Sequence, residues 1–221
     1  MRKWIPLVVI VVAFGASAAV YSELPDRVPT HWNMAGEVDG WMSRPWGAFV
    51  LPGMLVGIFG IFQLLPRIDP RAANYSKFRG TYDVVVITAM LFMLGVHFII
   101  LATALGRNIS VPRIMPVGVG MLFIVLGNLM PRMRPNWFVG IRTPWTLSSD
   151  RVWERTHRIG GRLFVVAGVI IALTGLFAPG LTETAMIGTV VAVTVGVLAY
   201  SYFIWKRDPD SRRPAEPSVR E

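Results

Sequence analysis

The sequence predicts an all-helical integral membrane protein with six transmembrane helices, and three observations carry that prediction. Of 221 residues, 53% are hydrophobic and only 16% charged, with a mean hydropathy of +0.52, which is too apolar for a water-soluble domain. Six stretches lack Asp, Glu, Lys and Arg, and each can cross roughly 30 Å of hydrocarbon at about 1.5 Å per residue. None alternates with period two, which excludes a barrel. In hydrocarbon, a helix is then the structure that satisfies its own backbone polar groups.

The first stretch, Trp4 to Ser22, follows Arg2-Lys3 and contains Ala16-Ser17-Ala18, the order of features in a cleavable signal. Its apolar run continues to Val20 and Tyr21, so a full span is expected instead of a short signal core. The next five run Trp46 to Pro66, Val84 to Gly106, Ile114 to Pro131, Leu163 to Thr182, and Thr184 to Trp205. Leu105 to Arg113 and Ala178 to Glu183 are short connections, making spans three and four, and five and six, antiparallel hairpins. The chain has no convincing internal repeat, which argues against a transporter built from inverted halves. The tail, residues 206–221, has three prolines and almost no apolar residue, and is expected to be disordered.

The net charge of +9 raises the question of nucleic acid, but the placement of the basic residues answers it differently. Lys and Arg number 2 before the first span, 4 between spans two and three, 7 between four and five, and 5 in the tail, giving 18 on one side. Arg27, Arg44, Arg107 and Arg113 make up the remaining 4 of the 22. Positive charge is retained in the cytoplasm during insertion, so both termini are expected there, with no direct nucleic-acid partner. The absence of cysteine removes disulfides, thiolate nucleophiles and thiol metal sites.

Two longer polar segments remain, one per face. The outer loop, Glu23 to Pro45, carries Trp32 and Trp41, with Trp46 at the next span's entrance; such residues favour the headgroup level. Its prolines, Gly36 and Asp39-Gly40 predict a turn-rich excursion with a short strand near Thr30 to Asn33. His31, Glu37 and Asp39 can converge there, either on a metal or polar ligand or, as expected, in a turn stapled by side-chain hydrogen bonds. On the inner side, Pro131 and Pro135 end span four. A loop with Gly140 and Pro144 follows, and Ser148, Ser149 and Asp150 offer caps for a helix with Trp153, His157 and Gly161 on one face. Arg151, Arg155, Arg158 and Arg162 lie on its polar side. This short helix is expected either to lie along the inner surface or to rise directly into span five, with Gly160-Gly161 permitting a bend or a close helix contact.

The inner segment resembles the signature of the SdpI family, multi-span bacterial membrane proteins whose named member protects a producing cell from its own secreted peptide toxin. The resemblance rests on Asn136, the run Gly140-Ile141-Arg142-Thr143-Pro144-Trp145-Thr146-Leu147, Trp153, and Thr156-His157-Arg158 leading to Gly160-Gly161. The outer loop resembles a small module of unknown function that often precedes this segment, through Pro29, His31, Asn33, Gly36, Asp39 and Gly40. The resemblance implies a multi-pass protein of the bacterial cytoplasmic membrane that neutralises a membrane-active peptide toxin from outside. It also implies capture of a transcriptional repressor at the inner face. Binding residues are then expected at Asn136, Gly140, Arg142, Thr143, Pro144, Trp145, Trp153, His157 and Arg158 within, and at His31, Asn33, Gly36 and Asp39 without.

The organisation expected is a first unit of residues 1–66 with its loop module at 24–45, a four-span unit of residues 67–205 with the signature at 136–162, and the tail. Arg142, between apolar and aromatic neighbours, is suited to bidentate contact with a carboxylate or phosphate and to stacking on Trp145. Glu154 and His157 make half of a carboxylate-bridged metal motif, and no second copy exists; no metal or other cofactor is expected. His97, within span three, is expected to be neutral and bonded to a helix backbone or a hydroxyl, and Asn128 to act as interhelical glue. The alternative function is a small-molecule or ion transporter, for which His97 and the Pro116, Gly118 and Gly120 cluster speak. A membrane-embedded enzyme should show a convergent nucleophile, base or metal set, and the sequence offers none.

Overall fold

A computed structural model of the chain describes residues 4–33 and 35–208. In order along the chain it holds α1 (Trp4–Val20), β1 (Arg27–Trp32), β2 (Val38–Ser43), α2 (Arg44–Ile68), α3 (Arg79–Ala104), α4 (Val111–Leu129), α5 (Pro144–Ser148), α6 (Asp150–Phe177) and α7 (Thr182–Lys206). All but α5 among these helices are long and apolar enough to cross a membrane, so this is a six-span, multi-pass membrane protein. Large apolar side chains remain exposed along the spans, Val11 on α1, Val166 and Phe177 on α6 and Val195 on α7 among them. Facing lipid, they cost nothing.

α1, α2 and α3 pack together, and one polar cluster ties them. Ser17 Oγ donates to the Ala48 carbonyl at 2.6 Å, and His97 Nε2 lies 3.0 Å from Ser17 Oγ and 3.2 Å from the Ala13 carbonyl. His97 is therefore bonded to both a hydroxyl and a backbone oxygen, and Ser17, at the centre of the signal-like tripeptide, is a packed residue of the bundle.

The second packing unit pairs α4 with α6 through glycines. A Cβ on Gly120 would lie 2.4 Å from the Gly168 carbonyl oxygen and one on Gly168 2.5 Å from that of Gly120. Seven residues on in α4 and seven back in antiparallel α6 the arrangement recurs, with Gly127 and Gly161 at 2.6 and 2.5 Å. Gly175 repeats it once more against Pro116. The seven-residue spacing keeps a smooth face turned to the partner helix, and small residues let two backbones approach where lipid offers no hydrophobic drive. Gly120 and Pro116 are thus packing residues of a helix that runs unbroken from Val111 to Leu129. Asn128 is not interhelical glue; its Nδ2 donates to Ile124 O of its own helix at 2.8 Å.

Of the two courses open to the arginine-rich helix after Ser149, it takes the one that rises directly into span five: Ser149 Oγ accepts the Val152 N–H as a cap, and the helix continues through Gly160-Gly161 to Phe177. Nothing in those residues breaks a helix; the missing side chain of Gly161 serves the α4 contact, and that of Gly160 makes room for Ile141. The short helix at this end is instead α5, started by Pro144 at its first position. α7 runs to Lys206, and Asp208 is buried, accepting from Ser149 Oγ at 2.5 Å; the disorder expected of the rest of the tail lies outside the described residues.

Candidate functional site

The signature segment is assembled around Asn136, which is fully buried. Its Oδ1 accepts from the N–H groups of Phe138 at 3.0 Å and Val139 at 2.6 Å, and its Nδ2 donates to the carbonyls of Arg134 and Val139, both at 2.9 Å. One amide thereby templates the turn that follows span four. The turn docks on the α2–α3 connection through Asp69, also buried, which accepts from the Trp137 N–H and the Tyr75 hydroxyl at 2.9 Å and from the Arg71 N–H at 2.7 Å. Asn74 Nδ2 donates to the Pro135 carbonyl at 2.8 Å, and Arg71 reaches Asp150 at 2.8 Å and the Leu147 carbonyl at 3.0 Å.

Gly140 turns the chain with φ of +112°, and a Cβ there would stand 2.4 Å from His157 Nε2. The imidazole can therefore accept the Ile141 N–H at Nε2, 2.9 Å away. That bond places the ring proton on Nδ1, which donates to the Trp153 carbonyl at 2.9 Å. The ring also stacks on Trp153 with centroids 4.0 Å apart, and Trp153 Nε1 donates to Met133 O at 3.0 Å. Both nitrogens of His157 are occupied within the protein, and Glu154 pairs with Arg134 at 2.8 Å, so the half metal motif is spent on structure. Thr143 and Thr146 form a reciprocal cap at the start of α5, and Thr143 Oγ1 donates to Ser201 Oγ on α7 at 3.2 Å.

Burial sorts the residues read from the sequence. Asn136, Thr143, Trp153 and His157 are inside and set the segment's shape. Arg142, Pro144 and Arg158 are exposed, Trp145 is half-buried, and Trp137 joins them at the surface. Arg142 does not stack on Trp145. Its guanidinium turns back to the Trp137 carbonyl at 3.0 Å, while Trp145, in the first turn of α5, points toward α7 and meets Tyr202 edge-on at 5.2 Å. Asp69, Arg71, Asn74, Tyr75 and Ser201 were not read as part of this site; a lone acid beside Pro70 looks like any solvated loop residue.

At the other end of the bundle, β1 and β2 form an antiparallel hairpin. His31 Nδ1 lies 2.5 Å from Asp39 Oδ1. Asn33 Nδ2 donates to Glu37 Oε2 at 3.1 Å, and Asn33 Oδ1 accepts the Glu37 N–H at 3.0 Å. This is the stapled turn. His31 and Glu37 take separate partners, and no group of three metal-binding side chains occurs among the described residues. Gly36, at φ of +84°, seats the turn on α4, where a Cβ would lie 2.1 Å from Pro112 Cγ. Val28 seats the hairpin's base on Gly47 of α2.

Residues 132–204 match the SdpI/YfhL protein family. The matched stretch holds the Asn136 turn, α5, the His157 face of α6 and the α7 residues that receive Thr143. Residues 8–56, which include the hairpin, match a domain of unknown function (DUF1648). The chain is also 27% identical over 212 residues to the "Immunity protein SdpI" of Bacillus subtilis (strain 168), covering 96% of this chain and 99% of that protein. No solved structure matches. The SdpI-type segment thus spans α5 to α7, whereas its anchor Asp69 lies in a part of the chain that neither family match reaches.

Proposed function

We propose that this chain is an immunity protein of the bacterial cytoplasmic membrane, protecting the cell from a membrane-active peptide without destroying it. The observation that carries the reading is the end-to-end likeness to an immunity protein, over 96% of this chain and 99% of the relative. In this reading the hairpin end faces outward and meets the peptide and the signature end faces the cytoplasm, the sidedness expected from the distribution of Lys and Arg. There Trp137, Arg142, Pro144, Trp145 and Arg158 form an exposed surface on a frame fixed by buried hydrogen bonds, a shape suited to receiving a protein partner such as a transcriptional repressor. Pro116 and Gly120, two of the features that spoke for a transporter, lie on the seam with α6.

The test is a killing assay in a sensitive bacterium against a panel of membrane-active peptides, with membrane abundance measured in parallel. Wild type is expected to neutralise at least one peptide and leave it intact in the medium. Arg142→Gln with Trp145→Ala is expected to lower protection at least tenfold at equal abundance. Failure against the whole panel would overturn the immunity reading, and full protection by the double variant would remove the signature surface from it.

A further inference from the structure

Beneath the hairpin lies a cavity of about 300 Å³, roofed by Thr30, His31, Trp32 and Asn33 and walled by α3, α4 and α7. Val96, Val119 and Met186 make its apolar walls. Thr182, also on the wall, is buried, and its hydroxyl has no hydrogen-bond partner. The roof is held down at both ends, by Val28 on Gly47 and by Gly36 on Pro112, so the space is built by the fold and not left by a loose loop.

Charge distinguishes what enters. The end of the molecule that holds this cavity carries five acids, Glu23, Asp26, Glu37, Asp39 and Glu183, against Arg27, Arg44, Arg107 and Arg113, in a chain whose net charge is +9. Asp26 and Arg44 neutralise each other at 2.7 Å. Glu37 and Asp39, exposed on the hairpin and bonded to Asn33 and His31, place two carboxylates beside an apolar interior. Such a site attracts an amphipathic cation lying at the membrane surface: the rim draws its positive groups, and the walls take an apolar side chain.

We infer that this cavity is the recognition site for a cationic amphipathic peptide, which inserts an aliphatic or aromatic side chain between α3, α4 and α7 while its basic residues meet Glu37 and Asp39. The inference rests on the immunity reading for its biological meaning, but not for its binding chemistry. The probe is a synthetic leucine–lysine amphipathic helix, with a leucine–glutamate helix as counterpart, titrated onto the full chain in phosphatidylcholine nanodiscs and compared with empty discs. The lysine peptide is expected to bind at least tenfold more tightly than to empty discs, and the glutamate peptide no better than to empty discs. Met186→Trp, which fills the cavity, and Glu37→Gln with Asp39→Asn, which removes the two charges while leaving amide oxygens able to bond Asn33 and His31, are each expected to remove that margin; Ile187→Trp, on the lipid-facing side of α7, is expected to keep it. Equal binding of the two peptides, indifference to both the cavity and the rim variants, or a phospholipid acyl chain in the cavity that the lysine peptide fails to displace would each overturn the inference. In the killing assay, a Met186→Trp variant that protects like wild type also overturns it while immunity stands. A wild type that protects against nothing overturns immunity instead, and the nanodisc titration still decides the cavity.

Discussion

At the scale of single residues, side chains that look alike in the sequence do unrelated work. Asn136 and Asn128 both flank the end of span four, yet one satisfies two backbone N–H groups and two carbonyls in a buried turn and the other bonds within its own helix. Leaving buried backbone groups unpaired costs about 1–3 kcal/mol apiece. Asn136→Ala is therefore expected to destabilise by roughly 3 kcal/mol or more, read as a clear drop in the thermal transition in detergent, and Asn128→Ala by less than about 0.5 kcal/mol. Equal transitions for the two variants would contradict the templating role. His157 belongs with Asn136: its nitrogens hold Ile141 and Trp153, so replacing it changes the surface carried by Arg142 and Trp145 without itself being that surface.

Among the elements, the decisive contact is the α4–α6 seam. Its glycines face each other in two reciprocal pairs, each position with a backbone carbonyl within 2.4 to 2.6 Å of where a Cβ would stand. A backbone oxygen cannot rotate away as a side chain can, so a larger residue must push the helices apart. Gly168→Leu is expected to cost roughly 3 kcal/mol or more, seen as a lowered melting transition and loss of a monodisperse peak on size exclusion. Gly188→Leu, where nothing lies within 4 Å of an added Cβ, is expected to behave as wild type. A Gly168→Leu protein as stable as Gly188→Leu would show that the seam is not what holds α6 in place. The seam matters to function because α6 carries Trp153 and His157 at one end and lies against α4, which supports the hairpin, at the other.

For the whole molecule, the two polar faces stand at opposite ends of one bundle, and their sidedness is an expectation from charge. The absence of cysteine makes a clean test available. Ala35→Cys and Ser148→Cys both introduce exposed thiols, one on the hairpin turn and one at the end of α5. A membrane-impermeant thiol reagent is expected to label the first in intact cells and the second only after the membrane is opened. The reverse pattern would invert the molecule and remove the basis for placing the toxin at the hairpin.

The sequence by itself determined the number of spans, because length and apolarity are local properties of each stretch and hydrocarbon leaves a helix little alternative. It also determined the turn at Gly36, the end of span four at Pro131 and the helical face shared by Trp153, His157 and Gly161, each of which follows from the conformational limits of a few neighbouring residues. Only the tertiary structure decided the rest. That Asp69 would receive Trp137, 68 positions away, that Ser17 would meet His97 across 80, and that Thr143 would reach Ser201 across 58 depends on which helices pack and at what depth. A polar residue's partner is set by those distances in space, so Arg142 and Trp145, adjacent in the expected site, separate toward Trp137 and Tyr202 once α5 is laid against α7. The cavity beneath the hairpin is the clearest case, being bounded by a roof from one packing unit and walls from both, and no local run of residues encodes a space between elements.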